Sequence, residues 1–211
     1  MSSKKINKTK YLAVFATTSL IFLIGLVIGN KISNTKLSKV DTLEQDLRTD
    51  TVAMELQYLL LAEDPCSSAN STTLTEELYE IGSKLDFMEG SLGKKNKDVI
   101  RLKNYYSLLE IRHWLFMKKQ KKECNIDNIL ILYFYSNLGD CNRCEEQGVV
   151  LNYLRKKYSD VNVYSFDVNT NNMALDTVKT MFNVNKVPTI VINENVLEGF
   201  NNLDYLETFI T

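Results

Sequence analysis

Proline is almost missing from this chain of 211 residues, with two copies, and glycine is sparse, with eight. So few breakers argue against long disordered linkers. A charge excess is missing too. The 25 Lys and Arg residues stand against 26 Asp and Glu, so no strong field recruits nucleic acid. There is one histidine, His113, with no second histidine or carboxylate cluster beside it. It reads as a packed core or boundary residue before it reads as a ligand or base. Four cysteines are compatible with two disulfides, which is weak evidence by itself. What remains is an ordinary globular balance, 45% hydrophobic and 24% charged, enough for one domain or two small ones.

One long hydrophobic run is present, and it lies at the N-terminus. "MSSKKINKTK" is polar and basic, and no charge occurs from Tyr11 to Gly29. As a helix that run is roughly 28 Å long, about the thickness of the hydrocarbon layer. Thr17, Thr18 and Ser19 can return their hydroxyls to the backbone and do not disqualify it. The expected organisation starts with a short basic cytoplasmic tail (1–10) and a single transmembrane helix (11–29) that contacts the lipid bilayer. The alternative is a cleaved signal peptide, for which Val27 and Gly29 offer a poor small-residue site. Lys4, Lys5, Lys8 and Lys10 precede the run, while Lys31, Lys36 and Lys39 follow it. That slight bias leaves the N-terminus in the cytoplasm and the C-terminal part outside.

Residues 30–124 read as a helical stalk or bundle of about three helices. Val40, Leu43, Leu47, Met54, Tyr58 and Leu61 share one helical face, and no proline separates it from the apolar run. "EDPCSSANSTT" breaks that pattern, and Thr73 with Glu76 forms a capping box for a second helix carrying Leu74, Leu78, Ile81, Leu85 and Met88. A third helix runs from about Lys97 to Lys119, with Val99, Leu102, Tyr106, Leu109 and Phe116 on one stripe. The bland reading is a packing module without chemistry; the other is a partner-binding surface. Short turns place the ends of the first and third helices together, so Cys66 and Cys124 can meet. A bridge there would restrict the unfolded chain by roughly 4 kcal/mol and would point to an oxidising compartment. Two unrelated free thiols are the alternative.

From Ile126 the periodicity changes. "ILILYFYS" is a continuous apolar run, the pattern of a strand buried on both faces. A helix over Cys141–Tyr158, the strand "VNVYSFDV", a helix over Met173–Phe182, a hairpin of "TIVIN" and "NVLEG", and a short last helix follow. The first crossover joins parallel strands and the closing hairpin is antiparallel.

"SNLGDCNRCEEQ" puts Cys141 and Cys144 at the strand–helix junction. Cys141 precedes the first turn, where unpaired N–H groups and the helix dipole stabilise a thiolate; Cys144 lies a turn further in, placed to resolve a mixed disulfide. Arg143 favours the thiolate, while Asp140, Glu145 and Glu146 oppose it. Residues 126–211 resemble the thioredoxin-fold family. "CNRC" stands at the motif position, and Val187, Pro188 and Thr189 match the family's cis-proline element, followed by Gly199 before the last helix. The resemblance implies a mixed four-stranded sheet flanked by helices, a cis bond before Pro188, and peptide contact through Val187, Pro188 and Thr189. It also implies disulfide exchange on cysteine-containing proteins, a membrane redox partner that recycles the pair, and no cofactor. Departures are visible. Asp140 replaces the usual tryptophan, Tyr135 replaces a buried aspartate, no proline follows Cys144, and no double glycine implies glutathione binding. The alternatives are a binding or assembly module with a structural Cys141–Cys144 bond, or a zinc site completed by Cys66, Cys124 and His113.

Overall fold

The computed structural model describes residues 8–61, 63–66 and 73–210. Residues 1–7 of the basic tail lie outside it, as do the side chains of Val40, Leu43, Leu47, Met54, Thr73 and Leu74. Two compact units divide the chain, Met1–Gln45 and Asp46–Thr211.

The first unit is the N-terminal part of helix α1 (Lys8–Leu61). Its stretch Lys10–Gly29 is long and apolar enough to cross a membrane, and its apolar side chains are exposed. Thr17 donates its hydroxyl to the Ala13 carbonyl at 2.6 Å and Thr18 donates to Val14 at 2.9 Å, so neither needs water.

The second unit holds the rest of α1, then α2 (Thr73–Leu92), α3 (Lys97–Cys124) and a mixed sheet with its helices. Asn96 caps α3 by accepting from the backbone N–H groups of Asp98 (2.8 Å) and Val99 (3.4 Å). Asn125, at φ 54°, ends that helix in the left-handed conformation that asparagine tolerates. The inward faces of α2 (Leu78, Ile81, Leu85, Met88) and α3 (Val99, Leu102, Tyr106, Leu109) are buried at the helical spacing the sequence shows. Their approach depends on Gly82. A Cβ there would lie 2.7 Å from the Tyr106 hydroxyl oxygen, which donates to the Leu78 carbonyl at 3.0 Å.

The sheet contains β1 (Ile129–Tyr135), β2 (Val161–Asp167), β3 (Thr189–Ile192) and β4 (Asn195–Glu198), in the order β2-β1-β3-β4. β1 pairs parallel with β2 and antiparallel with β3, and β3 pairs antiparallel with β4. Helices α4 (Cys144–Lys157), α5 (Met173–Met181) and α6 (Leu203–Glu207) complete it. This topology fits a thioredoxin-like fold. Ile129, Ile131, Tyr133, Val161 and Val163 pack with Leu151, Leu154 and Leu206 on one face. The opposite parity, Leu132, Phe134, Tyr164 and Phe166, is equally buried, which explains a β1 sequence that is apolar at every position.

β2 is an edge strand, but its edge is not bare. The Tyr79 hydroxyl of α2 accepts from Val163 N–H at 2.7 Å and donates to the Val163 carbonyl at 3.1 Å. Glu110 of α3 accepts from Ser165 N–H at 2.8 Å. Side chains of the helical pair thus satisfy backbone groups that a further strand would otherwise take.

Candidate functional site

β1 ends at Tyr135, and the chain turns through Ser136–Asp140 before α4 begins. The Ser136 hydroxyl donates to the Asp140 carboxylate and accepts from Leu138 N–H (3.2 Å) and from the Asn169 side-chain amide (2.7 Å). Gly139 takes φ 88°, which a side chain would strain. This loop delivers Cys141 just before α4, with Cys144 as the first helical residue. The two are disulfide-bonded, with Cα atoms 5.6 Å apart. Cys141 is partly exposed, whereas Cys144 is 7% exposed. No side chain caps the start of α4, so its first N–H groups are left to the neighbourhood of the cysteines.

Two supports hold this helix start. Tyr133 donates its hydroxyl to the Cys144 carbonyl at 2.5 Å. The fully buried Gln147 donates to the Asn201 carbonyl at 3.1 Å and accepts from Asn201 N–H at 2.7 Å, tying α4 to the loop before α6. The surrounding charges are arranged differently from the sequence expectation. Arg143 makes two hydrogen bonds to Glu146, at 2.8 and 2.7 Å, and its guanidinium stacks on Phe200 at 3.6 Å. The bond to Glu146 raises the guanidinium's proton affinity and lowers that of the carboxyl. Arg143 and Glu146 therefore neutralise each other beside the cysteine pair.

The Val187–Pro188 bond is cis. Pro188 precedes β3, whose Thr189 pairs with Phe134, so it sits at the end of the sheet where β1 runs out toward the cysteines. Gly199, at φ 79°, donates its N–H to the Pro188 carbonyl at 2.8 Å, and Thr189 donates its hydroxyl to the Lys186 carbonyl at 2.8 Å. Val187, Pro188 and Thr189 are thus brought to the end of the sheet that carries Cys141.

Cys66 and Cys124 are bonded to each other, with Cα atoms 5.5 Å apart. His113 is elsewhere. It is 1% exposed on α3, between the Tyr164 hydroxyl (2.6 Å from Nδ1) and the Thr75 hydroxyl (3.2 Å from Nε2), with Tyr58 edge-on at 5.7 Å. Burial pushes its pKa down to about 3. Among the described residues no cluster of His, Cys, Asp and Glu could hold a metal ion, and all four cysteine sulfurs are used in bonds.

Sequence reasoning missed a polar layer beneath the site. Lys103 of α3, 6% exposed, pairs with Glu89 of α2 and with Asp167 of β2 (3.2 Å), and lies 6.0 Å from the Tyr135 ring centre. Burial first, then the charges of Asp167 and Glu89, pushes the Tyr135 phenol well up. Glu110 is 2% exposed and holds its proton well above the usual carboxylate range, burial being the main cause. The signal was available as charged residues at core spacing among the apolar positions of α3.

No protein-family model matches the chain, and a comparison with curated proteins gives no significant match. Several solved structures overlap it partially. Thioredoxin O2 from Arabidopsis thaliana in its oxidised state is 22% identical, with 46% of this chain and 84% of that one covered at a TM-score of 0.35. A chloroplastic thioredoxin z is 22% identical over 44% of this chain and 85% of its own, at 0.33. The germline-specific thioredoxin Deadhead from Drosophila melanogaster is 23% identical over 43% and 84%, at 0.30. Overlaps this loose carry no function across.

Proposed function

We propose that the chain is a membrane-anchored thiol–disulfide oxidoreductase acting on protein cysteines outside the cytoplasm, with Cys141 as nucleophile and Cys144 as resolving thiol. The observation that carries this reading is the asymmetry of the pair: a partly exposed Cys141 before a helix start and a buried Cys144 within it. Thiol–disulfide exchange needs one sulfur that a partner can reach and one that it cannot.

In the oxidising direction a substrate thiolate attacks the Cys141 sulfur. The Cys141–Cys144 bond breaks and Cys144 leaves as a thiolate, which takes up a proton. A second substrate thiolate then attacks the substrate sulfur of the mixed disulfide. Cys141 departs with the electron pair, so two electrons pass from substrate to the cysteine pair. Reduction of a substrate disulfide runs the same steps backwards. Val187, Pro188 and Thr189 form the peptide contact at the end of the sheet. The Cys66–Cys124 bond serves structure, and a membrane redox partner recycles the active pair. An outward-facing domain is supported by the lysine distribution around the apolar helix and by a second disulfide joining distant residues.

Equilibration of the Cys141–Cys144 pair against glutathione buffers tests this reading. A potential between about −120 and −270 mV is expected of an exchange-active pair, whereas one below about −300 mV marks a structural bond and a binding or assembly module.

A further inference from the structure

A cavity of about 1020 Å³ opens at Cys141 and Cys144 and runs between α2 and α4 along the edge of β2. Its size suits a side-chain-bearing segment of polypeptide. Two of the carboxyl groups on its lining, Glu110 and Asp86, make no direct ion pair among the described residues. Glu110 gives Oε1 to Ser165 N–H, but its buried Oε2 has no hydrogen-bond partner. Asp86, on α2 at the more open side, feels the charges of Lys103 and Lys94 but makes no direct ion pair among the described residues.

Three of the four basic groups that line the same space are already engaged, and the fourth, Lys156, is exposed. Lys103 is held by Glu89 and Asp167, and Lys94 donates to Asn137 at 3.0 Å. Arg155 stacks on Tyr79 at 4.0 Å and donates to Asn152 at 3.0 Å. Burial above all, with the Asp86 charge adding to it against the Ser165 N–H, makes Glu110 hold its proton. Burial and then the Glu89 charge raise Asp86 likewise, against the opposing charges of Lys103 and Lys94.

A buried carboxyl oxygen without a partner, beside a second carboxyl, is a costly arrangement until something supplies positive charge and hydrogen-bond donors. An ammonium or guanidinium supplies both. A long aliphatic stem ending in charge can reach a buried carboxyl past the apolar and aromatic walls formed by Leu85, Leu151 and Tyr106. We propose that the trough between α2 and α4 binds substrate polypeptide, seating a lysine or arginine side chain of the cysteine-bearing segment on Glu110 and Asp86. The identity of that polypeptide as substrate rests on the redox reading; the cation site does not.

The test uses the full chain in detergent and fluorescent peptides with serine in place of cysteine. Lysine, norleucine or glutamate is walked through the positions flanking the serine, and binding is followed by anisotropy. Lysine at its best position should bind at least tenfold tighter than norleucine, and glutamate weaker than either. Asp86→Asn and Glu110→Gln should each cut the lysine-to-norleucine ratio to below threefold. Asp86→Asn alters an exposed residue, and Glu110→Gln keeps the acceptor for Ser165 N–H, so at least one variant will fold. Equal binding of lysine and norleucine peptides at every position, or a ratio that survives both substitutions, overturns the proposal. Disulfide peptides of the same design then separate the two readings. Charge-selective binding without exchange keeps the trough and removes the redox function, whereas exchange without charge selection does the reverse.

Discussion

The two disulfides have the same covalent chemistry and opposite settings. Cys66–Cys124 spans 58 residues and ties the segment after α1 to the end of α3. Cys141–Cys144 spans 3 and ties only the first residue of one helix to the loop just ahead of it. The long bond withdraws much entropy from the unfolded chain and the short one little, while the short one alone sits at a helix start beside a cavity. Sequence separation governs what a bond contributes to stability. Local surroundings govern what it can do.

The sharpest way to break this comparison is Cys141→Ser. Exchange activity should fall to background while the unfolding free energy drops by no more than about 2 kcal/mol, the loop-entropy value for a short loop. Insulin-type turbidity and urea melts of the same preparation read both. The converse pair, Cys66→Ser with Cys124→Ser, should lower stability by about 4 kcal/mol and leave exchange per folded molecule intact. A large loss of activity there, at temperatures where the variant is folded, would mean that the two bonds are functionally coupled.

A pH series sharpens the stability side. His113 has a folded pKa of about 3 against 6.5 unfolded, so the unfolded chain binds the proton first. Its contribution is complete above pH 6.5 and is lost as pH falls from there toward 3. About 2 kcal/mol should disappear between pH 6.5 and 5, and His113→Phe should flatten that slope. Gly82→Ala, which crowds the Tyr106 hydroxyl, should cost about 1–3 kcal/mol through the α2–α3 contact, with no change in exchange chemistry. The smallest effects belong to the charges near Cys141 and Cys144. Asp140→Asn should speed exchange by roughly two- to threefold, and removing Arg143 and Glu146 together should change it less, because that exposed ion pair is self-neutralising.

Much of the fold was legible because its signals are local. The continuous apolar run of β1, the CxxC at the following helix start and the Val187-Pro188-Thr189 element each specify backbone behaviour within a few residues. The meeting of Cys66 with Cys124 was legible at one remove, through the up-down-up run of the helices. The role of Arg143 was not, because its partner Glu146 and its stacking surface Phe200 compete for it in three dimensions. The polar layer of Lys103, Glu110 and Asp167 was missed for a similar reason. A charged residue at a core position of a helix becomes meaningful only when the opposite wall is known, and that wall is β2, far along the chain.

The closed edge of β2 has a consequence for misfolding. Tyr79 and Glu110 occupy backbone groups of Val163 and Ser165, so another molecule cannot extend the sheet on that side while the helical pair is docked. Peeling α2 and α3 away would bare a strand rich in Val, Tyr and Phe and turn a folded domain into a template for strand-to-strand polymerisation. Reduction of Cys66–Cys124, which frees the end of α3 from the segment after α1, should therefore appear first as aggregation rather than as loss of the proposed exchange activity.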